Sequence, residues 1–216
     1  MELIQHIKKA ARKLDQYSPW PLFYSFIMTK DEKSIFSKKI KNSTGLLEFG
    51  LGGSTIYALQ KSKAKIYTVE SSYKWINYVR KFFFIRYYEN KRLTIHYIDL
   101  GPTGEWGYPE SNDYKNLFPN YSSSIFNLIG RNSIDTAIID GRFRVACVLK
   151  IILECHQNNK LEILIHDFWN RKEYHIVLKY LDVIDKVDTL GVFSIKNNVD
   201  LKLANMDYMT YKFNPA

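Results

Sequence analysis

Five acidic residues stand at or beside the ends of short apolar runs: Glu48, Glu70, Asp99, Asp140 and Asp167. A crowded carboxylate is costly without a partner, so the repetition of this device points to a shared edge that receives ligands. The first acid is followed by Gly50-Leu-Gly52-Gly53-Ser54-Thr55. Glycines there remove side chains that would hold backbone N–H groups away from a bound molecule, and they tolerate φ > 0 where the chain doubles back. Glu70 closes the next apolar run, Ile66-Tyr-Thr-Val-Glu70, where a carboxylate accepts from both hydroxyls of a ribose. Asp140, His166 and Asp167 are candidate proton acceptors at the far end of the series. His166 is equally readable as a strand-end histidine satisfied by the backbone. Arg142, Arg144 and Arg171 follow the same two strands. Adjacent strands lie about 4.8 Å apart, so these side chains are expected to converge and bind an anionic group bidentately. Any single one of them can instead serve to neutralise Asp140 or Asp167.

The elements that must position these residues follow from periodicity and punctuation. Strands are predicted at Leu46 to Phe49, Lys65 to Val69, Leu93 to Ile98, Ile134 to Asp140 and Leu161 to His166, with helices over Ser54 to Lys61 and Ser71 to Tyr88. Alternation of strand and helix makes the sheet mostly parallel, and in such a sheet the carboxyl ends share one edge, where ligands bind. An amphipathic helix over Glu2 to Leu14, a Pro/aromatic stretch at Tyr17 to Tyr24 and a helix over Asp31 to Ile40 precede the sheet. The Pro/aromatic stretch reads either as substrate wall or as core. Trp75, one turn past Glu70, either borders a bound base or anchors its helix. The long Gly/Pro/aromatic connection from Leu100 to Asn132 is expected to be a substrate-side loop, with Trp106 and Tyr108 as contacts. A final hairpin is predicted from Asp182 to Thr189 and Val192 to Asn197, split at Gly191.

At 216 residues the chain fits one domain, divided as an N-terminal helical segment 1–43, an α/β core 44–198 and a C-terminal extension 199–216. Its net charge of +9 and pI near 9.3 favour anionic partners. Cys147 and Cys155 lie eight apart in one apolar helical pattern and read as reduced core residues. With no leader pattern and no run of ~20 apolar residues, the chain reads as cytoplasmic, peripheral contact of its first helix with a membrane being the weaker reading. Oligomeric state is left open by the sequence.

A nicotinamide or flavin site asks for a third glycine where this chain has Thr55. The segments E-F-G-L-G-G-S-T, V-E-S-x-x-x-W, I-D-G-R-F-R-V-A-C and H-D-F-x-x-R-x-x-Y, spanning roughly residues 44 to 180, together resemble class I S-adenosylmethionine-dependent methyltransferases, in a layout similar to bacterial small-molecule O-methyltransferases. The resemblance implies a Rossmann-like three-layer α/β sandwich whose seven-stranded, mostly parallel sheet has the order 3-2-1-4-5-7-6. It implies S-adenosylmethionine as cofactor, held by Glu48, Gly50, Gly52, Gly53, Ser54, Thr55, Glu70, Ser71, Trp75 and Asp99, with Glu48 near the cationic methionine portion and Asp99 at the adenine amino group. Some relatives hold a divalent metal with acids matching Asp140 and Asp167 plus an adjacent Asn, but Phe168 stands in the Asn position, so no metal is expected. The function expected is methyl transfer to an oxygen or nitrogen of a small, anionic metabolite or saccharide precursor. An RNA methyltransferase and a non-catalytic cofactor-binding module are the alternatives; the basic charge favours RNA, but no RNA-binding appendage or stacking motif is present.

Overall fold

The computed structural model describes residues 10–216. Residues 2–9 of the expected first helix lie outside the described residues, and 10–15 are helical. The chain then forms α1 (Lys30–Ile40), β1 (Gly45–Phe49), α2 (Gly53–Lys61), β2 (Lys65–Glu70), α3 (Tyr73–Val79), α4 (Phe83–Tyr88), β3 (Leu93–Tyr97), a helical turn α5 (Pro119–Ser123), β4 (Thr136–Ile139), α6 (Arg144–Cys155), β5 (Glu162–Ile165), β6 (Leu181–Val187), β7 (Leu190–Ile195) and α7 (Leu201–Tyr211). These strands make one sheet in the order β3-β2-β1-β4-β5-β7-β6, in which β7 alone runs antiparallel to its neighbours.

Strand alternation sorts the core into two layers. Leu47, Phe49, Ala137, Ile139, Ile163 and Ile165 face α6 and α7, while Leu46, Ile138 and Leu164 face α1 to α4. With both faces covered, β1, β4 and β5 read as continuous apolar runs. The same parity puts Glu48 on the α2 side of the sheet.

Three expectations are corrected. The helix expected over Ser71 to Tyr88 is two helices, because the chain leaves helical geometry between Val79 and Phe83, where Phe82 is extended and buried. The last hairpin turns at Asp188 and Thr189, Val187 pairing with Leu190. Gly191 lies inside β7, where a Cβ would stand 2.4 Å from the Phe193 ring; its lack of a side chain serves packing rather than turning. The second half of the 100–132 connection is helical: Phe118, Tyr121 and Ile125 are buried at helical spacing, with Pro119 opening α5. The C-terminal extension carries one helix. Its helix α7 joins the α6 layer, Tyr208 Oη lying 3.2 Å from Ser122 Oγ, and Pro215 O and Ala216 O accept from the N–H groups of Phe143 and Arg144. Cys147 and Cys155 are free and buried in α6.

The turns after β1 and β4 touch backbone to backbone. A Cβ on Gly141 would lie 2.2 Å from Tyr121 Oη and 2.9 Å from Phe49 O, whereas one on Gly52 meets nothing within 4 Å. Gly141→Ala is therefore expected to lose about 1–3 kcal/mol of stability through overpacking. Gly52→Ala should stay within about 0.5 kcal/mol of wild type. Urea unfolding compares them, and equal losses at the two positions would remove the packing explanation.

Candidate functional site

Backbone hydrogen bonds carry the ladder one step past the strands and align their ends. Gly50 N donates to Val69 O, Ile98 N to Glu70 O, Asp140 N to Phe49 O and His166 N to Ile139 O, all at 2.9 to 3.1 Å. Gly50, Glu70, Asp140 and His166 thus stand along one edge, at the point where the strand order reverses on either side of β1 and β4.

The three glycines of the first turn differ in their surroundings. Gly50 has φ +112° and abuts Gly141 N; Gly53 is crossed by the N-terminal segment, a Cβ there falling 1.9 Å from Ser25 O; only Gly52 leaves open space. The segment around Ser25 therefore straps the N-terminus of α2, with Tyr24 Oη donating to Gln60 and Phe26 packed on Phe36 and Tyr57. Behind the turn, Ser54 Oγ and Thr55 Oγ1 both donate to Glu48. Glu48 is buried, and burial pushes its pKa up to about 8, with Asp140 and Glu70 adding to the rise and the two hydroxyls opposing it.

Glu70 Oε1 accepts from Ser71 N at 2.7 Å and Ser72 N at 2.8 Å, and Oε2 accepts from Leu51 N at 3.3 Å. Burial nonetheless holds its pKa above the usual range, the three amides and then Arg142 opposing the shift. Trp75 donates its indole N–H to Leu51 O and stacks on Tyr78 with ring centroids 5.1 Å apart, so it anchors the glycine turn to α3. The 101–109 stretch folds over this end: a Cβ on Gly107 would lie 3.2 Å from Ser71 Oγ and 3.7 Å from Glu70 Oε1. Tyr108 carries the Arg142 guanidinium 4.7 Å from its ring centre. Trp106 points outward at 76% exposure, and Asp99 is exposed and caps Gly101 N at 2.9 Å.

Among the described residues, the buried side-chain polar atoms without a hydrogen-bond partner are Ser71 Oγ and Arg142 Nε. Both border Glu70. Buried polar groups are almost always satisfied, so these two atoms are candidates to meet a water or a polar ligand.

The three arginines do not converge. Arg142 goes to the Glu70 end, whereas Arg144 is buried at the other, donating to Gly141 O, His166 O and Asp140 O and pairing with Asp140 Oδ1 at 3.3 Å and Asp167 Oδ2 at 3.4 Å. Arg171 pairs with Asp167 at 3.4 Å and Tyr174 Oη at 3.3 Å. The expectation of three guanidiniums on one acceptor is corrected because Asp140 and Asp167 are neighbours across β4 and β5 and need a cation between them. Asp140, His166 and Asp167 also bring one ligand atom each within 4.8 Å of one another. The positive charge between the two acids is that of Arg144, and Phe168 is turned into the core against Phe193. His166 Nδ1 lies 2.9 Å from Asp140 Oδ1. Burial disfavours its charged form, but Asp140 first, with Asp167 and Glu32, holds its pKa above the ordinary histidine value. Glu32 and Tyr121, which also reach this edge, come from stretches with no strand-end signature; for Tyr121 the helical spacing of Phe118, Tyr121 and Ile125 was the available signal.

Because folded Glu48 holds its proton more tightly than the unfolded chain, stability present below about pH 4.5 is lost as pH rises toward about 8. Glu48→Gln should abolish this share of the pH dependence, gaining on wild type by on the order of 4 kcal/mol between pH 5 and 9. Unfolding curves at the two pH values check it; parallel losses in both proteins would mean that Glu48 is ionised in the fold.

No protein-family model matches the sequence, and no curated protein matches it. Among solved structures, a methyltransferase-like protein from Silicibacter pomeroyi DSS-3 superposes with TM-score 0.74 at 22% identity, over 89% of this chain and 98% of that one. A Corynebacterium glutamicum protein superposes with TM-score 0.52 at 8% identity, over 87% and 88%. With the sheet order and the glycine turn at its switch point, this chain has a Rossmann-like methyltransferase fold.

Proposed function

We propose that the chain is an S-adenosylmethionine-dependent methyltransferase acting on an oxygen or nitrogen of a small anionic metabolite or saccharide precursor. The observation that carries this reading is the pair of unpartnered buried atoms, Ser71 Oγ and Arg142 Nε, around a strand-end carboxylate beside an open Gly52. Glu70 would hold the ribose: Oε2 accepts only one protein N–H and keeps capacity for a ligand hydroxyl. Ser71 Oγ supplies a second contact, and the backbone at Gly52 admits close approach. When bound, the cofactor supplies a methyl group already activated as a sulfonium.

The chain's own part in the reaction is orientation and proton removal. Asp140, whose side chain is partly exposed at the edge, accepts the proton of the acceptor, with His166 behind it and Arg144 fixing both acids in place. Arg142, with a guanidinium stacked on Tyr108 and an unpartnered Nε, is the group that recognises an anionic substituent on the acceptor. No helix of the described residues is long and apolar enough to cross a membrane.

Calorimetry tests the cofactor. S-adenosylmethionine or its demethylated product should bind, and Glu70→Ala should cost about 1.5–3 kcal/mol; NADH binding in their place would sink the reading. Transfer of labelled methyl to a panel of carboxylated and phosphorylated sugars tests the acceptor. Asp140→Asn should keep cofactor affinity and lose rate, while Arg142→Lys should raise KM for anionic acceptors because an ammonium cannot reproduce the guanidinium fork. Neutral acceptors turned over as well as anionic ones would remove the role of Arg142.

A further inference from the structure

The loop that precedes the sheet is built inside out. Asp15 is buried, and its Oδ2 accepts from Leu22 N at 2.6 Å and from Phe23 N, closing residues 15–23 around one carboxylate. The large apolar side chains of the loop stand in solvent instead: Tyr17 is 81% exposed and Leu22 69%, with Trp20 and Phe23 exposed beside them. Backbone contacts fasten this loop to the outside of the helical layer. Gln16 O accepts from Phe83 N at 2.7 Å, Pro21 O accepts from Gln60 Nε2 at 2.7 Å, and the Trp20 ring meets Phe84 edge-on with centroids 5.7 Å apart. At that junction α4 adds Phe83 and Tyr87, both exposed, with ring centroids 6.1 Å apart. Among the described residues, half of the exposed large apolar side chains fall within 10–29 and 73–92. Apolar surface gathered in this way marks an interaction site.

The same two segments carry eight Lys/Arg and two acids, so +6 of the chain's net charge of +9 resides in them. Neither acid offsets the surface, because Asp15 is turned inward and Glu89 pairs with Arg80 at 2.6 Å. Lys13, Lys74, Lys81, Arg86 and Lys91 are exposed. We propose that this face docks on an anionic lipid surface. Trp20, Tyr17 and Tyr87 have the amphipathic rings that settle at headgroup level, Leu22 and Phe23 supply the apolar insertion, and the lysine stems carry their charges out to the headgroups. A nucleic acid would answer the charge but not the exposed aliphatic side chains, and the Tyr87 ring that a base would stack on already carries the Lys91 ammonium 3.6 Å from its centre. A second copy of the chain, docked through the same patch on both subunits, would set one basic surface against another.

The proposal stands apart from the methyltransferase reading and is tested on the full-length protein by vesicle flotation. Vesicles of phosphatidylcholine mixed with phosphatidylglycerol should carry the protein, with partition falling as salt is added, and vesicles of phosphatidylcholine alone should not. Tyr17→Ser/Leu22→Ser changes two exposed side chains and leaves the backbone bonds to Asp15 in place, so it should unfold at the wild-type temperature and partition at least about tenfold more weakly. Lys13→Gln/Lys81→Gln should also lose about tenfold. Lys160→Gln/Lys202→Gln removes the same charge from exposed positions outside the two segments and should stay within about twofold of wild type. Equal losses in the two lysine pairs would mean that net charge alone drives binding, and would overturn the docking face. Equal partition on neutral and anionic vesicles, or no loss in Tyr17→Ser/Leu22→Ser, overturns it as well. Absence of partition overturns it outright: binding of single-stranded RNA would then assign the face to a nucleic acid, and a dimer in sedimentation that Tyr17→Ser/Leu22→Ser dissolves would assign it to a second copy.

Discussion

The contact on which the site depends is the one between the turns after β1 and β4, where Gly50 and Gly141 bring two backbones within van der Waals distance and Tyr121 Oη closes over them. At this point the sheet reverses its direction of growth, so the chains leaving β1 and β4 pass to opposite faces and open a crevice. A side chain on either glycine would push the turns apart and carry Leu51 and Arg142 away from Glu70. Because Leu51 N donates to Glu70 and Leu51 O accepts from Trp75, that displacement would spread into β2 and α3. The crevice is thus set by the absence of two Cβ atoms.

Around it, the acids of the sheet edge are compensated in three separate ways. Glu48 is met by two hydroxyls, with burial raising its pKa; Glu70 is met by three backbone amides; Asp140 and Asp167 share Arg144. Compensation by neutral donors leaves Glu70 open to exchange one partner for a ligand hydroxyl. Compensation by a buried guanidinium instead fixes Asp140 and Asp167 in orientation, since breaking a buried pair leaves an uncompensated charge. The division matches the two tasks that the proposed function asks of the edge, holding a cofactor at one end and orienting a proton acceptor at the other.

The N- and C-terminal parts of the chain contribute to the same edge from outside the sheet. Residues near Ser25 cross Gly53, α1 delivers Glu32 to His166, and residues 215–216 cap the N-terminus of α6, where Phe143 at φ +54° provides no side-chain cap. Helix ends leave N–H groups unpaired, and the tail's carbonyls satisfy two of them.

The sequence by itself determined the strands, their acidic ends and the glycine turn, because those depend on local periodicity and on glycine, which act within a few residues. The order of the seven strands came from likeness to a family rather than from the residues. Tertiary structure alone decided which cation meets which acid: the sequence offered Arg142, Arg144 and Arg171 as equals, and β4–β5 register placed Arg144 between Asp140 and Asp167 while leaving Arg142 unpaired at Nε. It also turned Gly191 from a hairpin residue into a packing one, and it brought in Glu32 and Tyr121 from stretches with no motif. Arg144–Asp167, Tyr121–Arg142 and Glu32–Thr189 join residues 23, 21 and 157 positions apart, and such partners are fixed by strand register and helix orientation, which no local pattern encodes.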